Sequence, residues 1–270
     1  MKYNYQVLYG NIIKSKIISE LKLTETAYNS GLQLSAHSHN FAYFCFVLQG
    51  NFSERYEKRI RSCKPFSLIF HPLQETHSDK FYTATKCFNL QINDSFLERI
   101  RQYSKFTESP TEFVGGSSKQ IVTKIYKEFC YTDELSSLVV EGLMCELLGE
   151  AVRFSNGNLK LNAPDWLNRT RELLLDRFQE SLSLGEIAAA VGVHETHLSR
   201  EFKRYYHSTV GDYLRRLRIE FACRQISASD VPLSEIALLS GFADQSHFTK
   251  TFGQMMAISP AAYRKLFRGG

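Results

Sequence analysis

Long apolar runs, paired cysteines and a charge of one dominant sign are all missing from this 270-residue chain. The longest wholly apolar stretch, "FAYFCFVL" at 41–48, falls far short of the roughly 20 residues a membrane helix needs. A helical membrane protein is thereby excluded, and no membrane partner is expected. The opening "MKYNYQVLYG" has no basic segment followed by an apolar one, so no secretory signal is expected. Cys45, Cys63, Cys87, Cys130, Cys145 and Cys223 form no CxxC pair. They are expected as reduced thiols in a cytoplasmic protein, not as a disulfide framework. Lys and Arg number 33 against 28 Asp and Glu, and the excess of +5 is spread over both halves. Any nucleic-acid reading must therefore rest on where the cations sit.

What is present is ordinary in amount and informative in order. A hydrophobic share of 43% and a charged share of 23% suit a globular protein. The length allows one large domain or two ordinary ones. From about residue 5 to 95 the pattern is strand-like. "FAYFCFVLQGNFSERY" holds two aromatic-rich runs broken at Gln49–Gly50–Asn51, which reads as a hairpin, and "FSLIFHP" and "KCFNLQI" add short strands. Helical periodicity takes over in "SFLERI", "SKQIVTKIYKEF" and "ELSSLVVEGLMCELLGEAVRF". The segment "SNGNLKLNAP" collects breakers and reads as a linker over 156–164. Strands followed by segregated helices predict an α+β chain of two domains, 1–155 and 165–270.

The last hundred residues write one figure twice. Leu184, Ile187, Ala188 and Val191 fall at i, i+3, i+4 and i+7, one apolar helix face, with Ser183 and Glu186 spaced as a capping box before it. Gly192 stands where a left-handed residue would end that helix. Leu198 and Phe202 anchor the next. Leu233, Ile236, Ala237 and Ser240 repeat the spacing, Gly241 stops the helix, and Phe248 and Phe252 anchor its successor. Two short helices joined through a glycine turn are a helix-turn-helix. The chain is expected to hold two, at about 183–206 and 232–256. A helix over about 210–226 would join them as a strut of roughly 25 Å. Recognition helices so held could enter successive major grooves, one turn of about 34 Å apart.

With Leu198 and Phe202 inward, Thr196, Ser199, Arg200 and Lys203 share the opposite side of the second helix. Fifty residues on lie Ser246, Thr249, Lys250 and Gly253, with Gln245 and His247 beside them. Small hydroxyls, an amide and long cations can approach base edges and phosphates without bulk. A merely solvated face would more often carry Glu–Lys pairs. Glu195 and Glu201 run against the reading unless they point away from phosphate.

This stretch resembles the DNA-binding domain of the AraC/XylS family of bacterial transcription regulators. The resemblance is carried by "LSLGEIAAAVGVHETHLSREFKRYY", "YLRRLRIEFA" and "PLSEIALLSGFADQSHFTKTFGQMMAISPAAYRKL". It implies double-stranded DNA as partner, and RNA polymerase where the protein activates. Its base-contacting positions fall on Thr196, His197, Ser199 and Arg200, and on Gln245, Ser246, His247, Thr249 and Lys250. "FGQMMAISP" departs from the family's more basic stretch: Gly253 and Gln254 bring no cation, so a weaker phosphate grip is expected there.

The front half, through "GLQLSAHSHNFAYFCFVLQG" and "FHPLQETH", looks like a cupin β-barrel. In metal-binding cupins two His, a Glu and a later His hold one divalent ion. His37, His39 and His77 occupy the histidine positions, but the Glu position falls on Tyr43 or Phe44. Two histidines at i and i+2 share a strand face, so His37 and His39 can converge. Three imidazoles suffice for zinc with an open position. The expectation is nonetheless that no cofactor is required, and that His37, His39, Tyr43, His77 and Gln91 line a pocket for a small organic effector. A divalent metal at His37, His39 and His77 is the alternative, and with it a metal-dependent cupin enzyme or metal sensor tethered to DNA. Apolar residues of 119–154 at helical spacing, including Ile121, Ile125, Phe129, Leu143, Leu147 and Leu148, are expected to cover the barrel and to pair two subunits as a homodimer. The chain is read as a regulator and not an enzyme.

Overall fold

Residues that alternate between apolar and polar build the front of the molecule, and residues that repeat every three or four build the back. The computed structural model describes residues 8–19, 21–101, 103, 108–113, 117–160, 163–206, 208–256 and 258–268. The chain divides into two units, Met1–Ser155 with Leu266–Gly270, and Asn156–Lys265. Among the described residues, no helix is long and apolar enough to cross a membrane.

The first unit holds β1 (Asn11–Ile18), β2 (Leu21–Tyr28), β3 (Gln33–His37), β4 (Ala42–Gln49), β5 (Phe52–Tyr56), β6 (Arg59–Cys63), β7 (Leu68–His71), β8 (His77–Phe81) and β9 (Thr85–Ile92). After α1 (Asp94–Arg101) come β10 (Thr111–Glu112), α2 (Ser118–Cys130) and α3 (Ser136–Lys160). One sheet runs β1-β2-β9-β4-β7-β10 and the other β3-β8-β5-β6. Every pairing between them is antiparallel. The architecture is cupin-like. Strand β4 shows how it is built, because period two sends its neighbours to opposite faces. Tyr43, Cys45 and Val47 point between the sheets, onto Phe52, Cys63 and Phe81. Phe44 and Phe46 point the other way, where Phe44 lies 5.2 Å from Phe70 and 5.7 Å from Phe113. From β9, Phe88 meets Tyr126 at 4.9 Å and Phe129 at 5.1 Å, so α2 covers that outer face. Each fully buried aromatic contributes about 2–3 kcal/mol from area alone. The aromatic load thus splits between helix-covered core and barrel interior.

Two expectations fail here. Gln49–Gly50–Asn51 is no hairpin, since β4 pairs only with β7 and β9 while β5 pairs with β6 and β8. The chain crosses from one sheet to the other at Gly50, whose φ of +79° suits glycine. A β-carbon there would fall 2.3 Å from the Ala84 carbonyl oxygen. The sequence signal for a sharp corner and for a hairpin is the same; only the partners differ. The linker expected over 156–164 also starts too early, because α3 continues to Lys160. Leu161 and Asn162 lie outside the described residues.

The second unit is helical throughout. It contains α4 (Asp165–Arg177), α5 (Leu184–Val191), α6 (Glu195–Tyr206), α7 (Val210–Ala228), α8 (Leu233–Leu239), α9 (Gln245–Met256) and the first part of α10 (Pro260–Arg268), as far as Lys265. The capping box forms: Ser183 Oγ accepts from the Glu186 N–H, and Glu186 Oε2 accepts from the Ser183 N–H at 2.8 Å. Thr209 caps α7 through the Asp212 N–H, and Ser259 caps α10 through the Ala262 N–H. Leu167, Thr170 and Leu174 of α4 are buried with Ile187, Leu198, Phe202 and Leu214. The strut α7 does more than join the two helix pairs. Tyr213, Ile219, Ala222, Cys223 and Ile226 are also buried, because helices pack on more than one of its sides.

Candidate nucleic-acid interface and barrel cavity

Each short helix pair is set by its turn. Gly192 closes α5 in the left-handed conformation, φ +74° and ψ +34°. Gly241 follows α8 at φ +83°. The two glycines stand 49 residues apart, while the outward positions on α6 and α9 correspond at an offset of 50. What begins each second helix is polar. His194 Nδ1 accepts from the Thr196 N–H at 3.3 Å, and Asp244 Oδ1 accepts from the His247 N–H at 2.7 Å. His194 and Asp244 are themselves 50 apart, a capping correspondence that sequence reasoning missed although the offset exposes it.

All ten candidate contact residues lie at the surface. Thr196, His197, Ser199, Arg200 and Lys203 are exposed on α6, and Gln245, Ser246, His247, Thr249 and Lys250 on α9. Leu198, Phe202, Phe248 and Phe252 beneath them are fully buried. Two of the exposed groups are held. The His197 ring lies 5.2 Å from Trp166, and its Nδ1 is 3.2 Å from Arg200 Nη2. Arg200 Nε donates to Glu201 Oε1 at 3.0 Å, and Arg204 Nη1 donates to Glu201 Oε2 at 3.3 Å. These bonds hold the Glu201 carboxyl below its usual range. Glu195 folds back over α5, where a β-carbon on Gly185 would touch its carboxylate at 2.8 Å. Both acidic residues are thus turned away from the face or neutralised.

The barrel interior is a second, chemically different site. A small cavity of about 30 Å³ is lined by His37, His39, Tyr43, His71, Glu54 and Asp79, with His77 among its further walls. Four of the five expected pocket residues meet there. Gln91 does not: it is buried on the same face of β9 as the lining residue Asn89 but beyond the cavity. The Glu position of the cupin pattern, Tyr43, stacks instead on the His71 ring at 4.5 Å and 9°. Carboxylates arrive from elsewhere. Glu54 of β5 lies 3.5 Å from His71 Nε2, and Glu75 lies 2.9 Å from His77 Nδ1 and 3.6 Å from His71 Nδ1. Asp79 is 3.8 Å from His37 Nε2 and 4.0 Å from His77 Nε2. The loop between β7 and β8 is pinned by the Gln74 N–H donating to the His39 carbonyl at 2.8 Å, which brings the histidines of both sheets together.

Electrostatics in this interior are severe. Burial pushes Asp79 up to about 7. Burial, and then His77 and His37, bring His39 down to about 3. Burial opposes the charge of Glu75, but His71 at 3.6 Å and the hydrogen bond with His77 outweigh it and hold the carboxyl at about 2. Two overlapping sets of side chains place their ligand atoms within 4.8 Å of one another: His37, His39 and His77, and His71, Glu75 and His77. Glu54 and Asp79 were missed by sequence reasoning. The signal existed, because Glu54 shares a strand face with Phe52 and Asp79 shares one with His77. Nearby, Cys45, Cys63 and Cys87 are buried free thiols. A contact with Cys87 raises Cys45, and burial raises Cys63, which makes both unreactive.

A family model described as a helix-turn-helix domain matches residues 187–266. That segment lies, but for its last residue, within the helical unit, whose doubled helix pair is similar to the DNA-binding domain of the AraC/XylS family. A relative from Staphylococcus aureus, an uncharacterized HTH-type transcriptional regulator, is 26% identical over 177 residues, covering 64% of this chain and 24% of its own length. The melibiose operon regulatory protein of Escherichia coli is 25% identical over 120 residues, covering 44% of this chain and 40% of its own. The chain therefore spans only about a quarter of the length of the first of these relatives. ToxT from Vibrio cholerae is similar over 92% of this chain and 99% of its own, at 13% identity and a TM-score of 0.40. The matched segment contains both turns and all ten exposed candidate residues.

Proposed function

We propose that the chain is a sequence-specific DNA-binding transcription regulator, with α6 and α9 entering successive major grooves of one duplex. The observation that carries the reading is the repeated surface. Hydroxyl, imidazole and cationic groups recur at an offset of 50 on two exposed helices of an AraC-type domain, each set in place by a buried apolar pair, Leu198 with Phe202 and Phe248 with Phe252. Such groups read base edges, while the long cations serve the phosphates. A small effector held in the barrel cavity modulates the binding. RNA polymerase is the further partner where the protein activates. The chain acts in the cytoplasm and not as an enzyme, in keeping with relatives named as transcriptional regulators.

A finer part of the reading is a homodimer. Ile121, Ile125, Phe129, Leu147 and Leu148 are buried within the first unit, so they are spent on covering the sheet. The apolar surface available for a second subunit is instead Leu135, Leu138 and Val139 at the start of α3, 65%, 72% and 40% exposed. Sedimentation of the purified chain tests it.

Selection of genomic fragments by the purified protein, followed by footprinting, tests the main reading. A short recurring sequence protected on one face of the duplex supports it. Capture of protein partners with no sequence-selective footprint overturns it.

A further inference from the structure

We propose that the barrel cavity binds a divalent ion of the zinc type through His71, Glu75 and His77, with Glu54 and Asp79 orienting the two histidines from behind. This deepens the reading of the cavity as the ligand site by naming its ligand's chemistry. Of the three histidines that sequence pattern alone offers, only His77 belongs to this set.

Spacing is the first argument. Four ligands at about 2.0–2.1 Å around zinc stand roughly 3.3 Å apart along each tetrahedral edge. Glu75 Oε2 lies 2.9 Å from His77 Nδ1 and 3.6 Å from His71 Nδ1, which brackets that edge. All three ligand atoms lie within 4.8 Å of one another, close enough for small shifts to bring them onto one ion.

Unspent bonding capacity is the second. His71 is 3% exposed, yet its Nδ1 has no hydrogen-bond partner. Glu75 Oε1 is likewise buried and unpartnered. Buried polar atoms left without partners cost about 1–3 kcal/mol each, and a bound ion would satisfy the ones found here.

The outer shell is the third. Histidines that bind metal turn their other nitrogen toward a carboxylate, which fixes the ring and raises its basicity. His71 Nε2 faces Glu54 at 3.5 Å and His77 Nε2 faces Asp79 at 4.0 Å. Glu54 is 1% exposed, and among the described residues its only cation is Arg61 at 3.8 Å. Glu54, buried, and Glu75 and Asp79, half-buried, set three carboxylates around these histidines with Arg61 as the one permanent cation beside them among the described residues, and a doubly charged ion would balance the excess. Imidazole with carboxylate favours zinc and its first-row neighbours over calcium or magnesium.

The test uses the full chain without DNA, so its failure leaves the DNA-binding reading standing. Chelator-treated protein is titrated with Zn(II) and Co(II), and bound metal is counted by elemental analysis. One equivalent is expected, with a tetrahedral Co(II) visible spectrum. His71→Ala and Glu75→Gln should weaken binding by about a hundredfold, Glu54→Gln by about tenfold, and His37→Ala by no more than about threefold. His71→Cys keeps a ligand at that position and should add a thiolate-to-cobalt charge-transfer band, a readout independent of whether His71→Ala folds. Stoichiometric binding lost in His37→Ala but kept in His71→Ala overturns the assignment, as does folded wild-type protein that binds neither ion, or His71→Cys that binds cobalt without the new band.

Discussion

Gly241 sits directly against the backbone of Gln179: a β-carbon on it would fall 2.6 Å from the Gln179 carbonyl oxygen and 2.8 Å from its Cα. The end of α4 is thereby pressed onto the turn of the second helix pair. Gln179 Nε2 reinforces the contact by donating to the Leu239 carbonyl at 2.9 Å. The two turn glycines, equivalent in the repeat, are consequently not equivalent in the structure. Gly192 has the same left-handed backbone, but nothing lies within 4 Å of its would-be β-carbon.

Alanine at the two glycines should separate conformational cost from collision. Gly192→Ala is expected to cost about 1–2 kcal/mol, the ordinary price of a left-handed non-glycine residue. Gly241→Ala adds displacement of the Gln179 backbone and should cost about 3 kcal/mol or more. Urea unfolding of the two variants side by side checks the ranking, and equal midpoints would remove the close approach from the account.

Arg218 ties the same region from the other side. Its Nε donates to the Phe178 carbonyl at 2.7 Å and its Nη2 to the Glu180 carbonyl at 2.8 Å. Arg218→Met should cost about 2 kcal/mol, since two charge-assisted bonds to the end of α4 are lost. Arg218→Lys should recover only part, because an ammonium lacks the two-pronged geometry. Thermal unfolding of the three proteins orders them wild type, Lys, Met.

The repeat, its caps and its outward residues were legible because each rests on local chemistry: a period, a cap and a glycine lie within a few residues of one another. The corner at Gly50 was misread because a break between two apolar runs fixes a change of direction but not the partner strand. The helix through Asn156–Lys160 was misread because breaker residues are tolerated at a helix end. The cavity was half legible. His37, His39 and His77 fall in a spaced pattern, whereas Glu54 reaches His71 across a gap of seventeen residues and a change of sheet, which no local spacing encodes.

Acid should bear on the first capping box with a definite sign. Bonds from the Ser183 N–H and hydroxyl hold Glu186 below its ordinary 4.5. A depressed carboxyl contributes stability above its unfolded value and loses it as pH falls through the folded one. Ser183→Ala should therefore unfold at a lower midpoint than wild type near pH 7, and the gap should narrow below about pH 4. A gap that stays constant down to acid would show that Glu186 takes no part.

Three of the positions proposed to contact DNA make separable claims. Arg200→Ala and Gln245→Ala should each cost about 1–3 kcal/mol on the selected site and relax base preference. Lys203→Ala should weaken all sequences alike and flatten the dependence on salt. Gel shifts over a salt series distinguish the two behaviours; three variants that bind as wild type would remove the contact assignment.

Glu201 offers the reverse experiment. Its carboxylate holds Arg200 at 3.0 Å and Arg204 at 3.3 Å, so two cations on the exposed helix are partly neutralised before DNA arrives. An exposed pair of this kind contributes little to folding, because solvent screens it. Its influence on a polyanion is larger, because an unpaired cation releases a counterion from the duplex that a paired one does not. Glu201→Gln should thus leave the unfolding midpoint nearly unchanged and tighten binding to non-specific DNA. It should also steepen the slope of log affinity against log salt by up to about one unit for each arginine freed. Specific binding should gain less than non-specific binding, since Arg200 released from Glu201 reaches phosphates as readily as bases. A Glu201→Gln protein whose salt slope matches wild type would mean that these arginines do not approach the phosphates at all.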